Sequence, residues 1–290
     1  MKIAIFEPSS PSNPKVYSKG IEILKAELYS LEGIKQYGDF HLPNKDLPFL
    51  CGHDQQKAKN FIKALNGPES VIILTRGGYG SSRWLNLIPW KNITTRAYSK
   101  IVVGFSDATF ISAALFANEL RFIHGPMICT LANTSKPSRK ALWNLLDTGM
   151  LPSLRGSCLV PGTTLGTLFG GNLSCLCHLI GTDIEPDWKG KILFLEDCNE
   201  PPYKIDRMLT HLNQAGVLSK VNGVALGDFT LKNAQEQKLL HNVFQDRLAH
   251  LKVPVGYRLP FGHGKLNFPL EVGANYILDC SNEDCFLAPG

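Results

Sequence analysis

Val71-Ile72-Ile73-Leu74 and Ile101-Val102-Val103 are apolar at every position, with no alternation. A strand with no polar face must be covered on both sides, which is the condition of a parallel sheet sandwiched between helices. Helical patterns lie before these runs. Ile21, Leu24, Leu28 and Leu31 recur at steps of three and four, and His53–Asn66 repeats the form with Ala58, Phe61, Ile62 and Leu65 inward. Lys2–Phe6 supplies another strand, so the N-terminal half reads as an α/β, mostly parallel sheet. Ligands of such sheets bind at the carboxyl ends of the strands. Arg76-Gly77-Gly78-Tyr79-Gly80 and Ser106 both fall there.

The chain has 290 residues, enough for two domains. Residues 1–150 are expected to form the first. Thr148–Gly162 is rich in Gly, Pro and Ser and lacks periodicity, so 151–162 is expected as a linker, and 163–290 as a smaller mixed α/β domain. In that domain Thr163–Phe169 is expected as a strand, Gly170-Gly171-Asn172 as a turn and cap, and Leu173–Ile180 as a short helix. Ile192–Leu195 is expected as a strand ending at Glu196-Asp197, Tyr203–Ala215 as a helix, and Val272–Leu278 as one late element. With 44% hydrophobic and 19% charged residues the chain is an ordinary globular one. Its net charge of +5 is scattered, which argues against nucleic acid as a partner. MKIAIFEPSSP is too short in apolar residues for a signal core, and no later run approaches the roughly 18 that a membrane span needs. The eight cysteines, several inside apolar runs, are expected as buried thiols of a cytoplasmic protein. Cys175-Leu176-Cys177-His178 has no second pair of cysteines and reads as packing, so no metal is expected.

Lys100–Ala117 passes from an apolar strand through Ser106 into a helical pattern, with Gly104 two residues before the serine and Ala108 two after. Small residues at these places permit a turn tight enough to expose the hydroxyl and to aim the Asp107 N–H at an anion beside it. The alternative is that Ser106-Asp107 caps the helix. A nucleophilic serine needs a base, and eight histidines compete. His41, His53, His211, His241 and His250 sit in loops or on helix faces, His178 within a helix, and His124 after a short strand. His263, flanked by Gly262 and Gly264, lies in a loop whose backbone can approach another surface closely. The base needs an orienting carboxylate. Glu196, which follows four apolar residues, is favoured over its rival Asp197. Oxyanion donors are expected from the Gly77-Gly78 loop and Asp107; the loop matches neither a Walker sequence nor GxGxxG.

Six motifs then occur in order: Pro8-Ser9-Ser10-Pro11, Arg76-Gly77-Gly78-Tyr79-Gly80, Gly104-Phe105-Ser106-Asp107, His124-Gly125-Pro126-Met127, Gly170-Gly171-Asn172-Leu173 and LFLEDCNEPPYKIDRML from Leu193 to Leu209. With Gly262-His263-Gly264 they make a chain that resembles the LD-carboxypeptidase family of serine peptidases along nearly its whole length. The resemblance implies a Ser-His-Glu triad of Ser106, His263 and Glu196, with Gly78 and Asp107 N–H groups as the oxyanion hole. It implies an N-terminal domain similar to class I glutamine amidotransferases, a homodimer, and no metal or cofactor. The implied reaction removes the terminal D-Ala from murein tetrapeptide, cleaving its bond to an L-diamino acid, in cytoplasmic cell-wall recycling. Other members of the family cleave peptide-nucleotide antibiotics of the microcin type, so a self-immunity or detoxifying amidase is the alternative, and an inactive binding homologue a third reading. The substrate carboxylate is expected to meet a cation or a helix N-terminus; Arg76 and Arg83 are candidates for the cation, with a surface salt bridge as the alternative role of each. Specificity is expected in the loops Asp39–Asp54 and Ser135–Gly156, and the acidic Phe6-Glu7-Pro8 departs from the apolar entry the family pattern leads one to expect.

Overall fold

The computed structural model describes residues 1–38, 40–231 and 233–290, with Asn92 described by its backbone only. In chain order the elements are β1 (Lys2–Phe6), α1 (Pro14–Glu27), β2 (Gly33–Tyr37), α2 (Asp54–Asn66), β3 (Val71–Leu74), β4 (Ile101–Gly104), α3 (Thr109–Ala117), β5 (Arg121–His124) and α4 (Lys136–Thr148). They continue with β6 (Leu154–Val160), β7 (Gly162–Asn172), α5 (Leu173–Leu179), β8 (Lys191–Cys198), α6 (Pro202–Gln214), β9 (Gly223–Thr230), α7 (Ala234–Leu248), β10 (Val255–Tyr257), β11 (Leu270–Val272), β12 (Asn275–Ser281) and β13 (Asp284–Pro289). The chain divides into two compact units, Met1–Met150 with Pro269–Glu271, and Leu151–Phe268 with Val272–Gly290.

The first unit holds a sheet of order β11-β5-β4-β3-β1-β2. Strands β1 to β5 are parallel where they pair. β3 and β4 are buried at every residue, as runs without a polar face require. Asn13 and Ser135 start α1 and α4 by accepting from backbone N–H groups of the first turn, and each helix has proline in that turn. The edge strand β2, Gly-Ile-Lys-Gln-Tyr, exposes Lys35 and Gln36 and buries only Tyr37, so no apolar run announces it.

The second unit is built on a closed barrel of order β10-β6-β13-β12-β7-β8-β9. β7, β8, β9 and β10 run parallel to their neighbours in that series, and the remaining pairs are antiparallel. α5 packs on β7 and β8, and α6 on α5 and α7. The two halves of the barrel differ accordingly. β8 is almost wholly buried, whereas β12 alternates, with Tyr276, Leu278 and Cys280 inward and Asn275, Ile277 and Ser281 outward.

Four expectations need correction. Residues 151–162 are not an unstructured linker: they carry β6, and Gly162 opens β7. β6 carries no strand signal in the sequence because Leu-Arg-Gly-Ser-Cys-Leu-Val is half-exposed and mixes Gly and Ser with apolar residues, which erases the alternation. The span 163–290 is not one domain, because Pro269–Glu271 groups with the first unit, where Glu271 accepts from Arg121 Nε of β5 at 2.8 Å. Gly170 and Gly171 belong to β7 rather than to a turn. A Cβ at Gly170 would lie 1.9 Å from the Phe194 carbonyl oxygen, so the glycine serves the close approach of β8. Val272–Leu278 is not one element but is broken at Gly273, φ +91°, between β11 and β12.

Candidate active site

Ser106 follows β4 at φ 63°, a left-handed value that an L-residue adopts at a cost and that marks a strained turn. A short 3₁₀ turn, Ser106–Ala108, leads from it into α3. A Cβ at Gly104 would come within 2.6 Å of Leu74 Cδ1 and 3.1 Å of Ala108 Cβ, the collision that the small residues around the serine avoid. Gly77 lies directly against the turn. A Cβ there would stand 3.0 Å from Ser106 Oγ and 3.2 Å from the Asp107 nitrogen. The glycine therefore keeps open the space over the hydroxyl and beside that N–H. Gly78, at φ +111°, turns toward Ser10, whose Oγ accepts from Tyr79 N at 3.1 Å.

Asp107 does not cap the helix that follows. Its carboxylate is buried and accepts from Ser9 Oγ at 2.5 Å and from Ser81 N at 2.9 Å, while its carbonyl accepts from Ser81 Oγ at 2.5 Å. Sequence reasoning missed Ser9 and Ser81 because these partners are remote along the chain. Glu7 is also buried, and its carboxylate accepts from Ser12 N at 2.6 Å, His41 N at 2.8 Å and Cys51 Sγ at 3.0 Å. The acidic departure after β1 thus ties loops together, and burial with Glu7 beside it pushes the Cys51 thiol up to about 12. Arg76 Nε donates to the Gly77 carbonyl at 3.1 Å, and Arg83 pairs with Asp54 at 2.9 Å. His124, at the end of β5, is buried with its ring edge-on to Phe105. Of the loops expected to shape specificity, the first begins at Asp39, which lies outside the described residues, and the second, Ser135–Gly156, is not a loop, because α4 and the start of β6 occupy most of it.

In the second unit Glu196 is not at a strand's end. It lies inside β8, with 0% exposure, and its Oε2 hydrogen-bonds to His263 Nδ1. Asp197, its rival, faces elsewhere: it accepts from Asn172 Nδ2 at 3.0 Å, Ser174 N at 3.0 Å, Ser174 Oγ at 2.8 Å and Cys198 N at 2.8 Å. Those bonds anchor the start of α5. The His263 loop comes close to β8 because Gly262, at φ +112°, has no side chain; a Cβ there would meet Glu196 Cβ at 2.9 Å. Asn267 Oδ1 accepts from Gly262 N at 3.1 Å and holds the turn. Burial opposes a charge on His263, but Glu196 and then Cys198 outweigh it and push the imidazole up to about 11. Burial likewise raises Glu196, with His263 as the main opposing influence. The two groups titrate as one pair. Loss of its proton above the ordinary histidine range leaves a carboxylate and a neutral imidazole, the form that can accept a proton.

The division of labour between the adjacent acids predicts separate effects. Asp197→Asn is expected to cost about 1–3 kcal/mol of stability, since buried N–H and O–H donors lose their acceptor, with catalysis affected less than by the same change at Glu196. Urea unfolding and steady-state kinetics of both variants check this. A larger kinetic loss at Asp197 would move the orienting role there.

Residues 3–125 match the model of the LD-carboxypeptidase N-terminal domain, and residues 165–278 that of the C-terminal domain. A Synechocystis sp. protein named as a carboxypeptidase is 38% identical over 80% of this chain and 77% of its own length. The chain belongs to the LD-carboxypeptidase family. Among solved structures, the muramoyltetrapeptide carboxypeptidase of Oxalobacter formigenes has a TM-score of 0.86 at 27% identity, covering 99% of both chains. The family's breadth is visible in a further relative. The microcin C7 self-immunity protein of Escherichia coli is 24% identical over 97% of this chain and 91% of its own. Among the described residues of this LD-carboxypeptidase family member, no group of three or more His, Cys, Asp or Glu is arranged to hold a metal, and no helix is long and apolar enough to cross a membrane.

Proposed function

We propose that this protein is a serine-type LD-carboxypeptidase that removes the terminal D-Ala from murein tetrapeptide, with Ser106 as nucleophile, His263 as base and Glu196 as its orienting carboxylate. The observation that carries the reading is the strained turn at Ser106, with Gly77 open over its hydroxyl. The hydrogen bond of Glu196 to His263 Nδ1 supports the other two assignments, because a buried carboxylate on that nitrogen orients the imidazole and stabilises its charged form.

In this mechanism His263 takes the Ser106 proton as Oγ attacks the carbonyl of the L-diamino acid. The oxyanion is met by the N–H groups of Gly78 and Asp107. As the intermediate collapses, His263 gives the proton to the amine of D-Ala, which leaves. A water molecule, deprotonated by His263, then releases the acyl group and restores the serine. Arg76 is the better candidate than Arg83 for the substrate carboxylate, since Arg83 is engaged with Asp54. The proposal extends to a homodimer working in the cytoplasm in cell-wall recycling, and to a likeness of the first unit to class I glutamine amidotransferases.

Similarity to a microcin self-immunity protein favours one second reading, an amidase acting on peptide-nucleotide toxins. The purified protein should be incubated with murein tetrapeptide, with the pentapeptide and with an aminoacyl sulfamoyl adenosine, and the products weighed by mass spectrometry. Loss of D-Ala from the tetrapeptide alone is the expected result. Release of an amino acid from the adenosine compound, with the tetrapeptide intact, would replace the first reading by the second.

A further inference from the structure

We propose that Ser9 is a positioning residue for the nucleophile turn: its hydroxyl, donated to the Asp107 carboxylate, fixes the Asp107 N–H beside Ser106. The inference rests on the reading of Ser106 as nucleophile.

Asp107 is held from two loops at once. The segment after β1 supplies Ser9 Oγ, at 2.5 Å from Oδ2, and the segment after β3 supplies Ser81 N, at 2.9 Å from the same oxygen. Ser81 Oγ also reaches the Asp107 carbonyl at 2.5 Å, so side chain and peptide are both restrained. No side chain caps the 3₁₀ turn or α3, and the carboxylate bonds span 98 and 26 residues rather than one turn. A local helix-start role does not account for them.

Ser9 is itself immobilised. Its carbonyl accepts from Cys51 N at 3.0 Å and from Lys57 Nζ at 3.1 Å. Ser9, Asp107 and Lys57 have exposures of 0%, 4% and 5%. A carboxylate and an ammonium buried this deeply cost stability unless partnered, and partnered they form a rigid network. That network runs Lys57, Ser9, Asp107, and ends at the peptide following Ser106. An oxyanion donor works by standing in place before charge develops, so loosening its support should slow the chemical step more than it weakens substrate binding.

The test compares wild type, Ser9→Ala, Ser9→Thr and Ser81→Ala in three measurements: steady-state hydrolysis of murein tetrapeptide, the rate of Ser106 labelling by a fluorophosphonate, and thermal unfolding. All kinetics are run below the melting range of each variant. Ser9→Ala should lower kcat and the labelling rate by about 10–100-fold, with KM within about two-fold. Ser9→Thr, which keeps the donor, should restore most of both rates. Ser81→Ala, which removes only the bond to the Asp107 carbonyl, should lower the same two rates by a smaller factor, and it carries the test if Ser9→Ala does not fold. Wild-type labelling with unchanged rates in the alanine variants, or a loss confined to KM or to melting temperature, would overturn the inference alone. Absence of labelling at Ser106 in the wild type would overturn the nucleophile reading, and this inference with it.

Discussion

Ser106→Ala is expected to lower kcat by a factor of about 10³ or more while leaving the fold intact. Alanine keeps the Cβ and therefore the same backbone strain at φ 63°, so the substitution deletes the hydroxyl and little else. Ser106 is only half-buried, and its carbonyl accepts from Thr109 Oγ1 at 2.7 Å and from the Thr109 N–H, bonds untouched by the change. A matched melting curve with lost turnover would identify the hydroxyl as chemical. Turnover within a few-fold of wild type would remove Ser106 from the mechanism and with it the serine-type assignment.

The second large effect is expected at Glu196. Glu196→Gln should lower kcat by about 10²–10⁴, because the amide can still accept from Nδ1 but no longer stabilises the imidazolium formed during attack. The pH dependence should change as well. In the wild type the carboxylate raises the imidazole, so the neutral base appears only as pH rises above the ordinary histidine range, and the acid limb of kcat/KM lies on the alkaline side of it. Removing the charge leaves burial as the first influence, and burial disfavours the imidazolium. The acid limb should therefore move to lower pH in Glu196→Gln. A pH–rate profile measured for both proteins checks the sign, and an acid limb that stays in place would show that the pair does not govern the reaction.

Legibility followed the physics of burial. β1, β3 and β4 were readable because strands covered on both faces must be apolar throughout, and α2 because its inward positions repeat at helical spacing. β2, β6 and β13 were not, because each leaves residues in water and tolerates polar or small residues. The same logic misplaced Glu196. A carboxylate after four apolar residues reads as the end of a strand, whereas β8 runs on to Cys198 and buries that charge against His263. Ordinary strand patterning cannot announce a buried acid, since its cost is met by a partner 67 residues away.

Sequence alone determined the parallel sheet, the turn residues around Ser106 and the glycines flanking His263, because steric permission and apolar periodicity are local properties written residue by residue. The barrel, the return of Pro269–Glu271 to the first unit, the choice of Glu196 over Asp197 as the partner of His263, and the hold of Ser9 on Asp107 were decided by tertiary structure. Each depends on which distant donor meets which acceptor once water is excluded, and hydrogen bonds between remote segments leave no periodicity in the chain that forms them.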